Sequence, residues 1–178
     1  NQSLDFPLPL AKSQYSSSEN GEISTEIKLA DTGYGQGDLL VNPIHMASIY
    51  SAFANEGSMV KPYIEYNNGE TEYYKENAFT QEAANTVKND LIQVVENGSA
   101  NDMKIPGLTI AGKTGTAELK TSIEDTESGT LGWFDCFTVG RSQGDLLMVG
   151  MVENTQNNND GGSHYIISKM KTILQSGI

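Results

Sequence analysis

The chain has 178 residues, of which 37% are hydrophobic and 19% charged, a composition typical of a folded globular protein rather than a disordered one. Its 23 acidic and 11 basic residues give a formal net charge of −12, which argues against a nucleic-acid partner because such a partner needs a basic face. No stretch approaches the roughly 20 apolar residues of a membrane-spanning helix. The single cysteine, Cys136, cannot form an intrachain disulfide, and no Cys/His cluster has metal-site spacing, so we predict no metal and no cofactor.

The first part of the chain carries weak structural signals. Residues 1–31 are predicted to be an irregular lead-in, because proline and serine-rich stretches dominate them. The glycine-rich segment "GYGQG" then predicts a tight turn. Asn42-Pro43 predicts a helix start, and Gly57 the end of that helix. The buried face of this helix is predicted from apolar residues at helical spacing: Met46, Ile49, Tyr50 and Phe53.

A second helix is predicted from Thr80 to Asn97-Gly98, after a short extended segment and an Asn-Gly hairpin turn. Three strands follow, "LTIAGKTGTAEL", "GWFDCFTVG" and "DLLMVGMVE", with a polar acidic loop between the first two and a hairpin at "RSQG" between the last two. The third strand is apolar on both of its alternating faces, so both faces are expected to be buried under helices. A final helix is predicted beyond the Asn-rich segment at 154–162. The expected fold class is α+β.

The segment "AGKTGTAEL", from Ala111 to Leu119, carries the chemistry of interest. Strand alternation places Thr114 and Thr116 on one side, and Lys113 and Gly115 on the other. Gly115 leaves room for a second backbone or a substrate along the strand. Hydroxyls, backbone N–H groups and an ammonium suit a carboxylate or a developing oxyanion. The alternative is an ordinary edge strand with a solvated lysine.

The wider pattern resembles class B penicillin-binding proteins. Lys-Thr-Gly is the third signature motif of penicillin-binding proteins and serine β-lactamases. Here the Gly-Gln-Gly turn and its helix precede it, and "GWFDCF", "LLMVGMVEN" and "GGSHYIISKMKTIL" follow it in family order. The resemblance covers about residues 28–175. It implies a β-lactamase/transpeptidase-like fold, mostly antiparallel, with helices on both faces of the sheet.

The resemblance also implies an activity and site roles. Members are D,D-transpeptidases whose serine attacks a D-Ala-D-Ala stem peptide, releases D-Ala and passes the acyl group to an amine, and β-lactams acylate the same serine. Carried over, Lys113 supports proton transfer and the positive field, and Thr114 and Thr116 bind the substrate carboxylate beside Gly115. The Thr116 N–H forms half of the oxyanion hole. Gln36 and Tyr34 are expected to shape the floor of the cleft.

The nucleophile is the missing element. Ser58-x-x-Lys61 and Ser168-x-x-Lys171 match Ser-x-x-Lys, but the first follows a helix end and the second lies after the third motif. The Ser-x-Asn matches at Ser18 and Ser99 are also misplaced relative to the family order. Residues 1–178 are therefore interpreted as the C-terminal part of a transpeptidase domain, incomplete and inactive alone, with the serine upstream of this chain.

Further expectations follow from this interpretation. The expected partners are peptidoglycan stem peptides, β-lactams and the N-terminal part of the same protein. Self-association through the exposed edge of the last strand is the alternative use of that edge. The parent protein is expected at the extracytoplasmic face of the bacterial membrane, anchored by a segment absent from this chain. A β-lactam sensor domain, or a non-catalytic binding module of the same fold, are the rival interpretations.

Overall fold

A three-stranded sheet lies between two helical layers in the computed structural model of the chain. The structure describes residues 3–65, 69–118, 129–155 and 161–177. The helices are α1 (Glu26–Gly33), α2 (Pro43–Ala54), α3 (Gln81–Glu96) and α4 (Gly162–Ser176), and the strands are β1 (Met59–Lys61), β2 (Glu72–Lys75), β3 (Thr109–Glu118), β4 (Thr130–Val139) and β5 (Leu147–Val152). A short 3-10 turn, Asn101–Met103, precedes β3. This arrangement confirms the predicted α+β class.

The main sheet is an antiparallel meander in the order β3-β4-β5. Thr109 lies opposite Val139 at one end of the β3–β4 pair, and Glu118 lies opposite Thr130 at the other. β1 and β2 form a separate antiparallel pair. The predicted Asn-Gly turn falls between them in the sequence, and its residues 66–68 lie outside the described residues. So does most of the acidic loop between β3 and β4, at 119–128, and part of the Asn-rich segment, at 156–160.

Helices cover both faces of the sheet, as predicted. On one face α4 packs on Ile110, Phe134 and Cys136, and on the other α2 and α3 pack on Ala111 and Phe137. The expectation that β5 is buried throughout is wrong in detail, because its residues are half-buried and Met151 is exposed. Met151 lines an open cleft, described below.

The predicted helix boundaries rest on recognisable caps. The Asn42 side chain accepts a hydrogen bond from the Ile44 N–H at the start of α2, and Pro43 occupies the first helical position. Gly57, at φ 101°, donates its N–H to the Ala52 carbonyl after α2 ends. Among the described helices, none is both long and apolar enough to cross a membrane.

The irregular lead-in over residues 1–31 requires a correction, because α1 begins at Glu26. Thr25 caps this helix by accepting a hydrogen bond from the Lys28 N–H, and Glu26 stabilises its positive end. The sequence signal was weak because the helix buries none of its residues, so it carries no apolar stripe of the kind that marks a core helix. The segment before it is tied to the rest of the chain by a β-bridge between Gln14 and Leu40 and by an ion pair between Asp5 and Lys61.

Loss of the Thr80 cap is expected to destabilise the chain moderately. The Thr80 hydroxyl accepts a hydrogen bond from the Ala83 N–H at the start of α3, so Thr80→Ala should cost about 1 kcal/mol of unfolding free energy. Urea unfolding checks this value. The matched control is Thr86→Ala, since Thr86 lies inside the same helix and donates its hydroxyl to the Glu82 carbonyl of the preceding turn rather than to a helix end. Equal losses in both variants would contradict a capping role.

The hairpin between β4 and β5 is closed by one carboxylate. Asp145 accepts hydrogen bonds from the N–H groups of Gly140 and Arg141 and from the Thr138 hydroxyl, at 3.0–3.1 Å. Three donors on one short side chain fix the turn at the predicted "RSQG" position.

Candidate active site

A cleft of about 850 Å³ opens between the sheet and the segment that leads into α2. Its sheet wall comes from all three strands, and its opposite wall from the glycine-rich turn and the start of α2. The lining residues used below are Tyr34, Gln36, Tyr50, Lys113, Thr114, Gly115, Thr116, Trp133, Asp135 and Met151. All six predicted site residues therefore line one cleft.

The predicted alternation along β3 is confirmed. Ile110 packs in the core under α4, and Ala111 packs under α2 and α3, so the odd-numbered residues of β3 face α2 and α3. Lys113 and Gly115 consequently lie on the face with α2, and Thr114 and Thr116 on the face with α4. A Cβ atom at Gly115 would lie 3.2 Å from the Trp133 side chain. The glycine therefore leaves space above this part of the sheet.

The backbone of β3 presents hydrogen-bonding groups at its outer edge. The Thr138 N–H donates to Leu146, so even-numbered residues of β4 bond β5, and odd-numbered ones bond β3. In the β3–β4 register, Thr114 and Thr116 lie opposite the even-numbered Phe134 and Gly132, and therefore direct their own N–H and C=O groups away from β4.

Two side-chain contacts agree with this direction. The Lys113 ammonium donates to the Thr114 carbonyl at 2.9 Å, and the Gln36 amide donates to the Thr116 carbonyl at 3.4 Å. Both donors approach β3 from outside the sheet. The edge can therefore bind an extended peptide or an amide group in the manner of an added strand.

The glycine-rich turn brings Gln36 to the edge of β3. Gly35 and Gly37 have φ values of 84° and 69°, a conformation that favours glycine, and the Gln36 N–H donates to the Asp31 carbonyl. Tyr34 donates its hydroxyl to the Asp31 carboxylate at 2.8 Å and stands at the mouth of the cleft, mostly exposed. The turn thus anchors Gln36 through its backbone and leaves its side-chain amide at the cleft.

Two glycines let α4 approach the end of β3 and β4. A side chain at Gly132 would come within 2.2 Å of the Gly162 carbonyl oxygen, and one at Gly162 would lie 3.0 Å from the Thr116 hydroxyl. Gly162 also has a positive φ of 57°. The start of α4 is therefore packed against the strand position that carries Thr116, and it fixes one side of that residue.

Asp135 is a site residue that the sequence analysis missed. It lies on β4 directly opposite Lys113, only 5% exposed, and its Oδ1 atom has no hydrogen-bond partner among the described residues. Burial raises the pKa of Asp135 to about 7, and burial together with the nearby Asp135 raises the pKa of Tyr50. The available signal was a lone acidic residue inside the apolar run "GWFDCFTV".

The raised pKa of Asp135 predicts a stability that falls as the pH rises. The folded pKa of about 7 exceeds the ordinary value of 3.8, so the neutral form is favoured in the fold. The stabilisation by protonation is complete below pH 3.8 and is lost as the pH rises through about 7. Asp135→Asn should therefore raise the unfolding free energy at pH 8 by about 2 kcal/mol, after discounting for solvent in the cleft, and by little at pH 4.

Urea unfolding of the 178-residue chain at the two pH values tests this prediction. Glu153→Gln is the matched control, because it removes one negative charge from an exposed position. A pH-independent effect of Asp135→Asn would show that the carboxyl does not titrate in this range.

The serines of the short motif matches lie elsewhere. Ser58 accepts a hydrogen bond from the Asn77 N–H, Ser168 donates to Tyr165 within α4, and Ser18 donates to the Glu22 carbonyl. Ser99 does reach β3, with its hydroxyl 2.8 Å from that of Thr114, but on the face opposite to Lys113. Of the residues that the structure describes, no serine lines the cleft.

The remaining titratable candidates give no second reactive centre. Cys136 is buried on the face with α4, and burial raises the pKa of its thiol to about 12, which leaves it unreactive. His45 and His164 lie apart, on α2 and α4. The described part of the chain contains no group of three His, Cys, Asp or Glu residues that could hold a metal ion.

Comparisons with known proteins agree with this architecture. The family model described as the penicillin-binding protein transpeptidase domain matches residues 4–175. Penicillin-binding protein 3 of Bacillus subtilis is 39% identical over 175 residues, which are 97% of this chain and 25% of that protein. The peptidoglycan D,D-transpeptidase FtsI homolog of Mesostigma viride is 31% identical over 137 residues, 64% of this chain and 22% of that protein. The chain thus spans a quarter or less of these relatives.

Solved structures show the same fold. Penicillin-binding protein A from M. tuberculosis, in a ceftriaxone acyl-enzyme complex, superposes with a TM-score of 0.70 at 23% identity, over 93% of this chain and 38% of that one. The D,D-transpeptidase domain of a peptidoglycan glycosyltransferase from Eggerthella lenta superposes with a TM-score of 0.65 at 24% identity. The superposition covers 99% of this chain and 45% of that one. This chain belongs to the penicillin-binding protein transpeptidase domain family, and the predicted family and fold are confirmed.

Proposed function

We propose that this chain supplies the substrate-binding edge of a peptidoglycan D,D-transpeptidase that is also acylated by β-lactams. The observation that carries the proposal is the outer edge of β3, where Thr114 and Thr116 direct backbone groups toward a cleft that also contains the Lys113 side chain. An edge of this kind binds a peptide by strand addition, and the ammonium favours a carboxylate.

The proposed reaction proceeds in two steps through a serine ester. The serine oxygen attacks the carbonyl carbon between the two D-Ala residues, and its proton passes to the D-Ala amine, which leaves as the peptide bond breaks. An amine of a second stem peptide then attacks the ester carbonyl, forming the new amide and returning a proton to the serine oxygen. A β-lactam follows the first step, its ring amide opening instead of a D-Ala leaving.

The residues of this chain have separate proposed roles in that reaction. Lys113 contributes positive charge beside the reacting serine, and the hydroxyls of Thr114 and Thr116 bind the substrate carboxylate. The Thr116 N–H, which points to the outer edge of β3, provides one donor of the oxyanion hole. Gly115 leaves room for the substrate, and Gln36 and Tyr34 shape the floor of the cleft.

We infer that the serine lies in a part of the protein beyond residues 1–178. This is supported by the cleft lining, which contains no serine within the described residues, and by the share of the relatives that the chain spans, 25% for the Bacillus subtilis protein. The chain alone is then inactive, and the rest of the protein completes the active site.

The outer edge of β5 has two proposed uses. It pairs with further strands of the same protein, or with a second copy of this chain when those strands are absent. The site of action that fits peptidoglycan as substrate is the extracytoplasmic face of the membrane, with an anchor outside this chain.

A second candidate function is binding without turnover, as in a β-lactam sensor or a carboxylate-binding module. The observation that favours it is the completeness of the binding edge in a chain whose described cleft lacks a nucleophile. The two functions differ in whether the acyl group is transferred to an amine after it forms.

Intact-mass spectrometry of the full-length protein and of this chain, before and after incubation with benzylpenicillin, tests the proposal. We expect the full-length protein to gain the mass of one opened β-lactam and this chain to gain none. Peptide mapping should place the adduct on a serine outside residues 1–178. An adduct on Ser58 or Ser168 would overturn the placement of the nucleophile, and no adduct on the full-length protein would overturn the proposed function. Transfer of a D-Ala-D-Ala stem to a second amine then separates the enzyme from a sensor.

A further inference from the structure

Lys113 has two acceptors within reach, and only one of them is used in this structure. The ammonium donates to the Thr114 carbonyl at the outer edge of β3. The second acceptor is Asp135, whose backbone pairs with that of Lys113 across the β3–β4 ladder, so the two Cβ atoms stand on the same face about 5.5 Å apart. A lysine side chain is long enough to bring its ammonium over a carboxylate at that position.

A ligand bound at the outer edge of β3 would change which of these acceptors the Lys113 ammonium can use. An extended ligand that adds to β3 donates its own N–H to the Thr114 carbonyl, because that carbonyl points away from β4. The Lys113 ammonium must then leave this carbonyl and find another acceptor. Asp135 also lines the cleft, and its buried Oδ1 has no partner in the described part of the chain.

The surroundings of Asp135 leave Lys113 as the cation best placed to pair with it. From α2, Tyr50 faces it, and from β5 the residue opposite is Val149, followed on the same face by Met151. None of these carries a positive charge. Among the described residues, the other ammonium that lines the cleft is that of Lys12, which lies in the segment before α1, whereas Lys113 lies directly opposite Asp135 in the strand ladder. A carboxylate at this position therefore depends on Lys113 for charge compensation, since the neighbouring side chains on its face are aromatic or apolar.

We propose that Asp135 is a positioning residue for Lys113, which alternates between the Thr114 carbonyl and the Asp135 carboxylate and moves to Asp135 when a ligand occupies the edge of β3. The ammonium is then held over the floor of the cleft, on the side where it acts on the reacting groups. This inference rests on the proposed role of Lys113, and it adds the group that holds Lys113 in place. It also accounts for a buried acid in an otherwise apolar strand.

The first test does not depend on activity. In the full-length protein with an excess of a D-Ala-D-Ala peptide, which occupies the edge of β3, the carboxyl carbon resonance of Asp135 is titrated in the wild type and in Lys113→Met. Pairing with an ammonium lowers a carboxyl pKa, so the midpoint should rise by about one pH unit or more when the ammonium is removed. Lys169→Met, at an exposed position on α4, is the control that should leave the midpoint unchanged. Equal midpoints in the wild type and Lys113→Met would overturn the proposal.

The second test measures positioning. The acylation rate constant of the full-length protein with a fluorescent penicillin is followed from about pH 5.5 to about pH 9, in the wild type and in Asp135→Asn. Loss of one charge-assisted hydrogen bond should lower the rate roughly tenfold at the alkaline end, and the acidic decline that follows Asp135 ionisation should disappear. An unchanged pH profile in Asp135→Asn would overturn the proposal, whereas no acylation of the wild type would overturn the proposed function and leave the titration to decide this inference.

Discussion

Lys113→Met is expected to reduce the rate of acylation by benzylpenicillin in the full-length protein by on the order of 10²–10³-fold, the usual effect of removing one preorganised donor at a developing charge. The Lys113 side chain is exposed, lines the cleft and is not part of the hydrophobic core. The substitution should therefore leave the fold intact, so the loss would be a loss of transition-state stabilisation. Methionine keeps most of the length of the side chain and removes only its charge and donors.

Two measurements make the result for Lys113→Met interpretable. The midpoint of urea unfolding should match that of the wild type, which excludes misfolding as the cause. Lys169→Met serves as the matched control, because it removes an exposed ammonium that lies over the Tyr165 ring on α4. A rate for Lys113→Met within twofold of the wild type would show that the ammonium does not act on the acylated centre.

Gly132→Ala is expected to cost about 3 kcal/mol or more of unfolding free energy, at the upper end of the penalties for overpacking. The added methyl group would meet the Gly162 carbonyl oxygen at 2.2 Å and the Gly162 carbonyl carbon at 2.7 Å. Both atoms belong to the backbone at the start of α4, so no side-chain rotation relieves the overlap. Either β4 or α4 must shift, and with it the packing beside Thr116.

The control for Gly132→Ala is Gly33→Ala. Gly33 is the last residue of α1, and a side chain there would meet no atom within 4 Å. We expect its effect on stability to remain within about 0.5 kcal/mol, as for an ordinary surface substitution. Thermal unfolding of both variants tests this prediction. A wild-type unfolding midpoint for Gly132→Ala would mean that β4 and the start of α4 are not packed this closely in solution.

The elements with strong periodicity could be predicted from the sequence. α3 begins one residue after the predicted start at Thr80, and its buried residues Ala84, Leu91 and Val95 recur at helical spacing in the sequence. The three strands of the meander could also be predicted, because each is a continuous apolar or alternating run between turn residues. In each case local propensity and burial act in the same direction.

In the two features that the sequence did not predict, α1 and the exposure of Met151, local propensity and burial do not act in the same direction. α1 is stabilised by the Thr25 cap and local bonds, and it buries no side chain that would reveal it in a pattern. Met151 looks like a core residue by composition, but its exposure depends on a cleft formed by segments more than a hundred residues earlier, around Gln36. The hydrophobic pattern of a strand does not show where distant segments leave the strand open to solvent.

Some residues of the candidate site could be predicted from the sequence and others could not. Lys113, Thr114, Gly115 and Thr116 could be found because one short segment carries them all. The placement of Gln36 beside Thr116 depended on a family resemblance, since the two lie 80 residues apart. Asp135 was missed because its significance comes from the strand register, which sets it opposite Lys113, and no local rule links the two positions.

The meander has a consequence for the order in which the chain acquires structure during synthesis. β3, β4 and β5 pair only with their neighbours along the chain, so the sheet closes through short-range contacts that form quickly. α2 and α3, however, leave the ribosome first, and the strands on which they pack are made after them. Their apolar faces are therefore expected to stay unpaired until β4 and β5 have emerged, which makes the nascent chain a client for chaperones over that interval.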